Sequence, residues 1–186
     1  KMGYAIAREL SKLGAEVTLI SGPTALSTPE GVKRINVQSA AEMLNECNNY
    51  FEQADITVMS AAVADYAPTE VAAQKIKKKT EDFSISLQKT TDILATLGAK
   101  KREQQTLVGF ALETNNELEN AIDKLKRKNL DFIVLNSMQD QGAGFAHDTN
   151  KITVINKKEE ILSFDIKSKE EVAKDICTLI LEYQNR

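Results

Sequence analysis

The sequence predicts a doubly wound α/β fold, a mostly parallel sheet with helices on both faces. Three observations carry that prediction. Short β-branched and apolar runs recur at residues 16–21 (EVTLIS), 55–61 (DITVMSA), 106–112 (TLVGFAL) and 130–135 (LDFIVL). These runs do not alternate with polar residues, as befits strands covered on both faces. Helical periodicity fills the intervals between them, and a length of 186 residues fits one domain.

The elements follow in order. Met2, Ala5, Ile6, Leu10 and Leu13 have helical spacing, so a helix is already under way at the first residue and closes at Gly14. Residues 16–21 form a strand, and residues 22–31, with two prolines and two glycines, form a loop. Residues 32–37 alternate and suit an edge strand. Ser39 caps a helix running to about residue 53, with Glu42 at the capping-box position. Residues 55–61 are a buried strand. Residues 62–81 break the rhythm with an Asp-Tyr-Ala-Pro turn and the KIKKK run at 75–79. Residues 83–87 (FSISL) alternate as a strand, and helical signals resume at Asp92. The strand at 106–112 leads to a charged helix at 114–128, and then comes the strand at 130–135. A Gly-rich loop at 139–150 precedes a hairpin of 152–156 and 161–166. Ser168 opens the closing helix, with Glu171 three residues on and an end near Tyr183.

Composition excludes several function classes. Lys plus Arg is 24 and Asp plus Glu is 27, so the net charge is 24 − 27 = −3. That is the wrong sign for binding nucleic acid by bulk charge. With 42% hydrophobic and 27% charged residues the chain has the balance of a folded domain. No apolar run approaches the ~20 residues of a membrane span. The expected location is cytoplasmic, with no nucleic acid and no membrane as partner. Cys47 and Cys177 fit neither a disulfide framework nor zinc spacing, and both read as packing residues. A single histidine, His147, argues against a histidine-rich metal site, and no metal ligands are expected.

Ligands of such sheets sit beyond the carboxyl ends of the strands, so the loops after Ile20, Ala61, Phe110 and Leu135 are the ones to inspect. Lys75, Lys77, Lys78 and Lys79 follow one of them. Composition alone favours a solvated loop there, while position favours a basic flap closing on phosphates. Asp65 and Tyr66 nearby suit ribose or metal contacts. Lys124 and Lys128 share one helix face. They complement the helix dipole, and they also suit a two-lysine clamp on a polyphosphate. Asp92, Glu113 and Asp131 are strand-end carboxylates that read as caps or surface residues. The residues alone leave two enzyme classes open: a nucleotide-using ligase or transferase, and an NAD(P)-dependent oxidoreductase on a Rossmann-like fold. The second expects a G-x-G-x-x-G turn, which the sequence lacks. It also lacks a tyrosine four residues before a lysine, since Tyr4, Tyr50 and Tyr66 are followed at that spacing by Arg8, Ala54 and Glu70. A binding module without catalysis is the third class.

Several strings in order carry a resemblance: SGPTALSTPEGV, SAAEM, AAVADYAP, QKIKKK, DILATLG, LVGFALET, RKNLDFIVLN, GAGFAHDTN and SKEEVAKDI. Together they resemble the phosphopantothenoylcysteine synthetase family, the ligase part of bifunctional coenzyme A enzymes, over essentially the whole chain. The resemblance implies a Rossmann-like sheet with a hairpin or flap excursion between Asp65 and Asp92 that makes a homodimer. It implies ligation of 4′-phosphopantothenate with L-cysteine, driven by CTP with Mg²⁺ through an acyl-cytidylate. A fused or partner decarboxylase is a further implied partner. By the same resemblance Met59, Ser60, Ala61 and Asp65 contact the nucleotide, and Thr91, Asp92, Ile93, Leu94 and Phe110 line its site. Lys124 and Lys128 hold the triphosphate, and Lys75 is the catalytic flap lysine.

The chain departs from that family's pattern. Thr90-Thr91 replaces Asn-Pro, Asn136-Ser137 replaces Asn-Asp, and Leu112 replaces an alanine. The family also carries a strand and a Gly-rich, Asn-bearing segment just upstream of Lys1-Met2-Gly3. The expected single domain, 1–186, lacks that N-terminal strand and segment.

Overall fold

The computed structural model describes residues 1–70, 72, 74, 84–113, 115–137 and 148–184. Among the described residues there are five helices: α1 (Met2–Lys12), α2 (Ala40–Phe51), α3 (Ile93–Lys100), α4 (Glu117–Arg127) and α5 (Lys169–Gln184). The strands are β1 (Val17–Ser21), β2 (Val32–Asn36), β3 (Ile56–Met59), β4 (Tyr66–Pro68), β5 (Leu87–Lys89) and β6 (Thr106–Glu113). They continue with β7 (Phe132–Ser137), β8 (Thr149–Asn150), β9 (Ile152–Asn156), β10 (Ile161–Ser163) and β11 (Lys167–Ser168).

The main sheet has the order β10-β9-β7-β6-β3. β3, β6 and β7 are parallel, with Val58 opposite Val108 and Val108 opposite Phe132. β9 and β10 add antiparallel strands at one edge. β1 and β2 form a separate parallel pair, with Leu19 opposite Arg34. The sheet is therefore mixed, and its parallel part is shorter than the sequence predicts.

Adjacent residues of each central strand serve opposite faces. Leu107, Ile133 and Leu135 pack in one cluster with Met43, Cys47 and Phe51 of α2, Ile93 and Leu97 of α3, and Leu125 of α4. Val108, Phe132 and Val134 pack in the other with Ala5 and Ile6 of α1 and Val172, Ile176 and Ile180 of α5. Double coverage explains why β6 and β7 carry no polar alternation. Each fully buried Leu or Ile contributes roughly 1.5–3 kcal/mol, which makes these two layers the main source of stability.

The helix signals act as read. Ser39 Oγ accepts from the Glu42 amide at 3.2 Å, and the Glu42 carboxylate accepts back from the Gln38 amide at 2.9 Å. Ser168 and Glu171 repeat the arrangement at α5, with the Glu171 amide donating to Ser168 Oγ at 3.3 Å. α4 starts three residues later than expected, at Glu117, because Asn116 adopts a left-handed conformation at φ 47°. The predicted strand at 83–87 is not formed as such: residues 84–86 are irregular and pairing begins at Leu87, against Pro68. Phe83 lies outside the described residues.

Asp131 is neither a cap nor a surface residue. It lies buried at the start of β7, where its Oδ2 accepts from Lys101 Nζ at 2.6 Å and from the Leu107 amide at 2.8 Å. Both side chains of the Lys101 pair are only 4% exposed. The Tyr183 hydroxyl reaches Asp131 Oδ1 at 3.4 Å. Burial, with the Asp131 charge added, pushes the Tyr183 hydroxyl above its usual range. Sequence spacing could not reveal this carboxylate, because its partners come from α3's end, β6 and α5.

Candidate functional site

Beyond the carboxyl ends of β3 and β6 the chain leaves a cleft of about 430 Å³. One wall is the irregular stretch after β3, from Ala61 to Asp65. A second is the start of α3, and a third is the face of α4 that carries Lys124 and Lys128. The parallel strands β3 and β6 run toward this cleft.

Asp92 fixes the α3 wall. It is the N-cap, its Oδ1 accepting from the Ala95 amide at 2.9 Å. Its other oxygen accepts from Lys128 Nζ at 2.7 Å. Burial alone pushes the Asp92 carboxyl up. The Lys128 hydrogen bond, the Ala95 amide and the charges of Lys128 and Lys124 outweigh it, so the group stays below the usual carboxylate range.

Lys124 lies one turn earlier on α4, and its Nζ donates to the Phe110 carbonyl of β6 at 3.1 Å. It makes no ion pair among the described residues. Burial and then the Lys128 charge hold its ammonium below the usual lysine range, against an opposing pull from Glu113 and Asp92. A half-buried cation with one neutral acceptor and a cationic neighbour favours an anion in the cleft.

Close packing sets the position of Lys128. Gly98 of α3 lies directly beneath the Lys128 carbonyl, and a Cβ there would collide with it. Asn129, at φ 52°, donates from Nδ2 to the Gly98 carbonyl at 2.9 Å and locks the end of α4 onto α3.

Of the residues expected at the site, Met59, Ala61, Asp65, Thr91, Asp92, Ile93, Leu94, Phe110, Lys124 and Lys128 all line this one cleft. Ser60 instead borders a neighbouring cavity beside Gly3. Lys75, expected to be catalytic, lies outside the described residues, as do Lys77, Lys78, Lys79 and His147. Val63, Ala64 and Lys89 line the cleft without having been singled out, and Thr90, noted only as a departure from the family pattern, lines it too. Thr90 ties the wall together, donating from Oγ1 to the Ala64 carbonyl at 2.7 Å and from its amide to the Asp65 carbonyl at 2.9 Å. Their apolar or exposed-strand context in the sequence carried no signal for this placement.

The two cysteines stay out of the chemistry. Burial pushes the Cys47 thiol up to about 11 and the Cys177 thiol up to about 12. Neither is a thiolate near neutral pH.

Comparison with known proteins gives the family. The family described as the DNA/pantothenate metabolism flavoprotein C-terminal domain matches residues 1–183. A cysteine/cysteine sulfinic acid decarboxylase from an unknown prokaryotic organism is 49% identical over 97% of this chain and 51% of its own length. The coenzyme A biosynthesis bifunctional protein CoaBC of Bacillus subtilis (strain 168) is 45% identical over 95% of this chain and 43% of its own. The crystal structure of the C-terminal domain of a CoaBC superposes with a TM-score of 0.82 at 38% identity, covering 100% of this chain and 83% of that domain. The chain thus spans about half the length of the curated relatives it matches.

These names correct the enzymatic expectation. The family is described as a flavoprotein and the 49%-identical relative as a decarboxylase; none of these names carries a ligase, CTP or magnesium. The phosphopantothenate–cysteine ligase activity, with CTP and Mg²⁺ beside it, is therefore not carried forward, and neither is the oxidoreductase. The physical reason is that paired lysines recognise a phosphate whatever it is attached to, so they do not select a reaction class. A flavoprotein implies a flavin, and the cleft bears on that too. Lys124 and Lys128 fit a flavin's phosphate. Phe110 and Tyr66, beside Met59 and Val63, fit a flat group without distinguishing a flavin ring from another heterocycle.

Proposed function

Because the chain belongs to the family of DNA/pantothenate metabolism flavoprotein C-terminal domains, we propose that it serves as one part of a larger decarboxylase-bearing enzyme of pantothenate and coenzyme A metabolism. Its own contribution is a site for a phosphate-bearing ligand. Lys124 and Lys128 hold the phosphate, and Asp92 orients Lys128. The stretch from Met59 to Asp65, together with Phe110, takes the flat or apolar portion of the same molecule. Decarboxylation is the activity named for the 49%-identical relative, and here it is assigned to the full-length protein. The observation that carries the reading is Lys124, a half-buried ammonium facing the cleft with only the Phe110 carbonyl as partner among the described residues.

The β4–β5 hairpin leaves Tyr66, Ile85 and Leu87 about three-fifths exposed, at 59%, 60% and 57%. This apolar trio supports contact with a second copy of the chain, as the resemblance implies. Sedimentation of the chain and of a Tyr66→Lys, Leu87→Lys variant tests the pairing: a wild-type dimer becoming a monomer is expected, and an unchanged species would contradict it.

Calorimetric titration tests the ligand class. The chain is titrated with flavin mononucleotide, a phosphopantothenoyl thiol and a nucleoside triphosphate, each against its dephosphorylated counterpart. At least one phosphorylated member should bind, its counterpart should not, and Lys124→Ala should abolish the difference. Equal binding of both members of every pair would overturn the phosphate site. The pair that discriminates identifies the ligand.

A further inference from the structure

Among the described residues three lysines line the cleft beyond β3 and β6: Lys89, Lys124 and Lys128. Lys89 belongs to the exposed strand β5. Lys128 is held by Asp92 at 2.7 Å, with only 11% of its side chain exposed. Lys124 combines half-burial with a neutral acceptor, the Phe110 carbonyl at 3.1 Å. Lys126, on the same helix, is the contrast: its side chain is 60% exposed and pairs with Glu159 at 2.7 Å.

A lysine becomes a nucleophile when its amine is desolvated or lies beside another cation, because both raise the share of neutral amine. Lys124 meets both conditions. Burial first, and then the charge of Lys128, hold its ammonium below the usual lysine range; Arg127 adds to this, while Glu113 and Asp92 oppose it. A neutral amine keeps the bond to the Phe110 carbonyl through one N–H and still has a lone pair for attack. Helical spacing supplies the rest. Lys124 and Lys128 are four residues apart, which puts their Cβ atoms about 5–6 Å apart on one face. A phosphate seated at Lys128 therefore holds the group attached to it beside Lys124. In an acyl phosphate the acyl carbon is one bridging oxygen away from phosphorus, well within that span.

We propose that Lys124 is an acylation site for acyl phosphates, which enter the cleft by their phosphate at Lys128 and transfer the acyl group to Lys124 Nζ. This rests on the reading of the cleft as a phosphate site. In the step, Nζ attacks the acyl carbon and an N–C bond forms. The bond between that carbon and the bridging oxygen breaks, and its electron pair leaves with inorganic phosphate. The proton lost by the nitrogen goes to the same phosphate, so no further reactant is needed. The product is an uncharged amide. Lys124 then no longer holds an anion, and the cleft is closed to phosphate-bearing ligands.

Peptide mass spectrometry follows the protein with acetyl phosphate and, separately, with N-acetoxysuccinimide, a donor without phosphate. The rate at Lys124 relative to Lys126 should be at least about tenfold higher with acetyl phosphate than with the second donor, and it should saturate. Equal ratios with the two donors would overturn the phosphate-directed step. Phosphorus NMR of pyrophosphate on the same protein separates this inference from the reading beneath it. Bound pyrophosphate with no preferential acetylation of Lys124 would overturn the acylation and leave the phosphate site standing. Neither binding nor preference would overturn both. The acetylated protein should bind pyrophosphate at least about tenfold more weakly, and undiminished affinity would contradict the closure.

Discussion

Lys128 Nζ lies 2.7 Å from Asp92 Oδ2, joining the C-cap of α4 to the N-cap of α3. Asp92 thereby caps α3 and orients a cation of α4 at once. Lys128, only 11% exposed in its side chain, is held by this carboxylate, while Lys124 beside it has a neutral acceptor. The two lysines are therefore unequal: one is positioned, the other is available to a ligand.

Removing them should have distinct consequences. Lys124→Ala should weaken a phosphorylated ligand by roughly 10- to 100-fold, the loss of one charge-assisted hydrogen bond of about 1.5–3 kcal/mol. It should leave thermal stability nearly unchanged or raise it slightly, since a desolvated cation is removed. Lys128→Ala should lower both affinity and melting temperature, because Asp92 loses its partner. Calorimetry and thermal melts on the two variants check the split; equal effects on stability would contradict it.

The pH dependence follows from the same two groups. Lys124 has a folded value below the unfolded 10.5, so its charged form is penalised by folding. Its deprotonation on raising pH relieves that penalty, and stability rises between the folded value and 10.5. Affinity for a phosphate, which needs the ammonium, should begin to fall at a lower pH than an ordinary lysine would give. Asp92 has the same sign of slope, stability rising with pH, but in the acid range and because folding favours its charged form. Its folded value lies below the ordinary carboxylate value of 3.8, so its contribution is present above that pH and is lost only as pH falls through the folded value. Affinity profiles of wild type and Lys124→Ala over the alkaline range test the first point. A wild-type profile falling only with ordinary lysines would contradict it.

Gly98→Ala should disturb the cleft from behind. The added methyl meets the Lys128 carbonyl, so α3 and α4 must separate. A cost of about 1–3 kcal/mol is expected for such overpacking, together with weaker ligand binding, since Lys128 moves with its backbone. Retained affinity in a destabilised variant would show that the lysine tolerates the shift.

The buried Lys101–Asp131 pair lies away from the cleft and should matter only for folding. Lys101→Met should cost about 3–5 kcal/mol by stranding Asp131, and adding Asp131→Leu should recover part of it. Denaturant melts of the single and double variants check this. A double variant no better than the single would mean that the Leu107 amide, which also depends on Asp131, dominates.

Local chemistry was readable in the sequence where it is local in the fold. Ser39 with Glu42 and Ser168 with Glu171 are three residues apart, and both form the expected caps. The apolar runs of β6 and β7 show their double burial directly. Meeting points of distant segments were harder. Lys124 and Lys128 were legible as a pair on one helix, but Thr90 over Ala64 and Asp131 beneath Lys101 require the tertiary fold. Reaction class was least legible, because two ammonium groups specify an anion and nothing about what bond is broken.

The most direct measurement is phosphorus NMR of inorganic pyrophosphate titrated into the chain, its Lys124→Ala variant and its Lys124→Arg variant. A site built on the free ammonium predicts a saturable shift in wild type, loss in the alanine variant and partial retention in the arginine variant. An identical titration in all three would contradict it and assign the anion to some other surface.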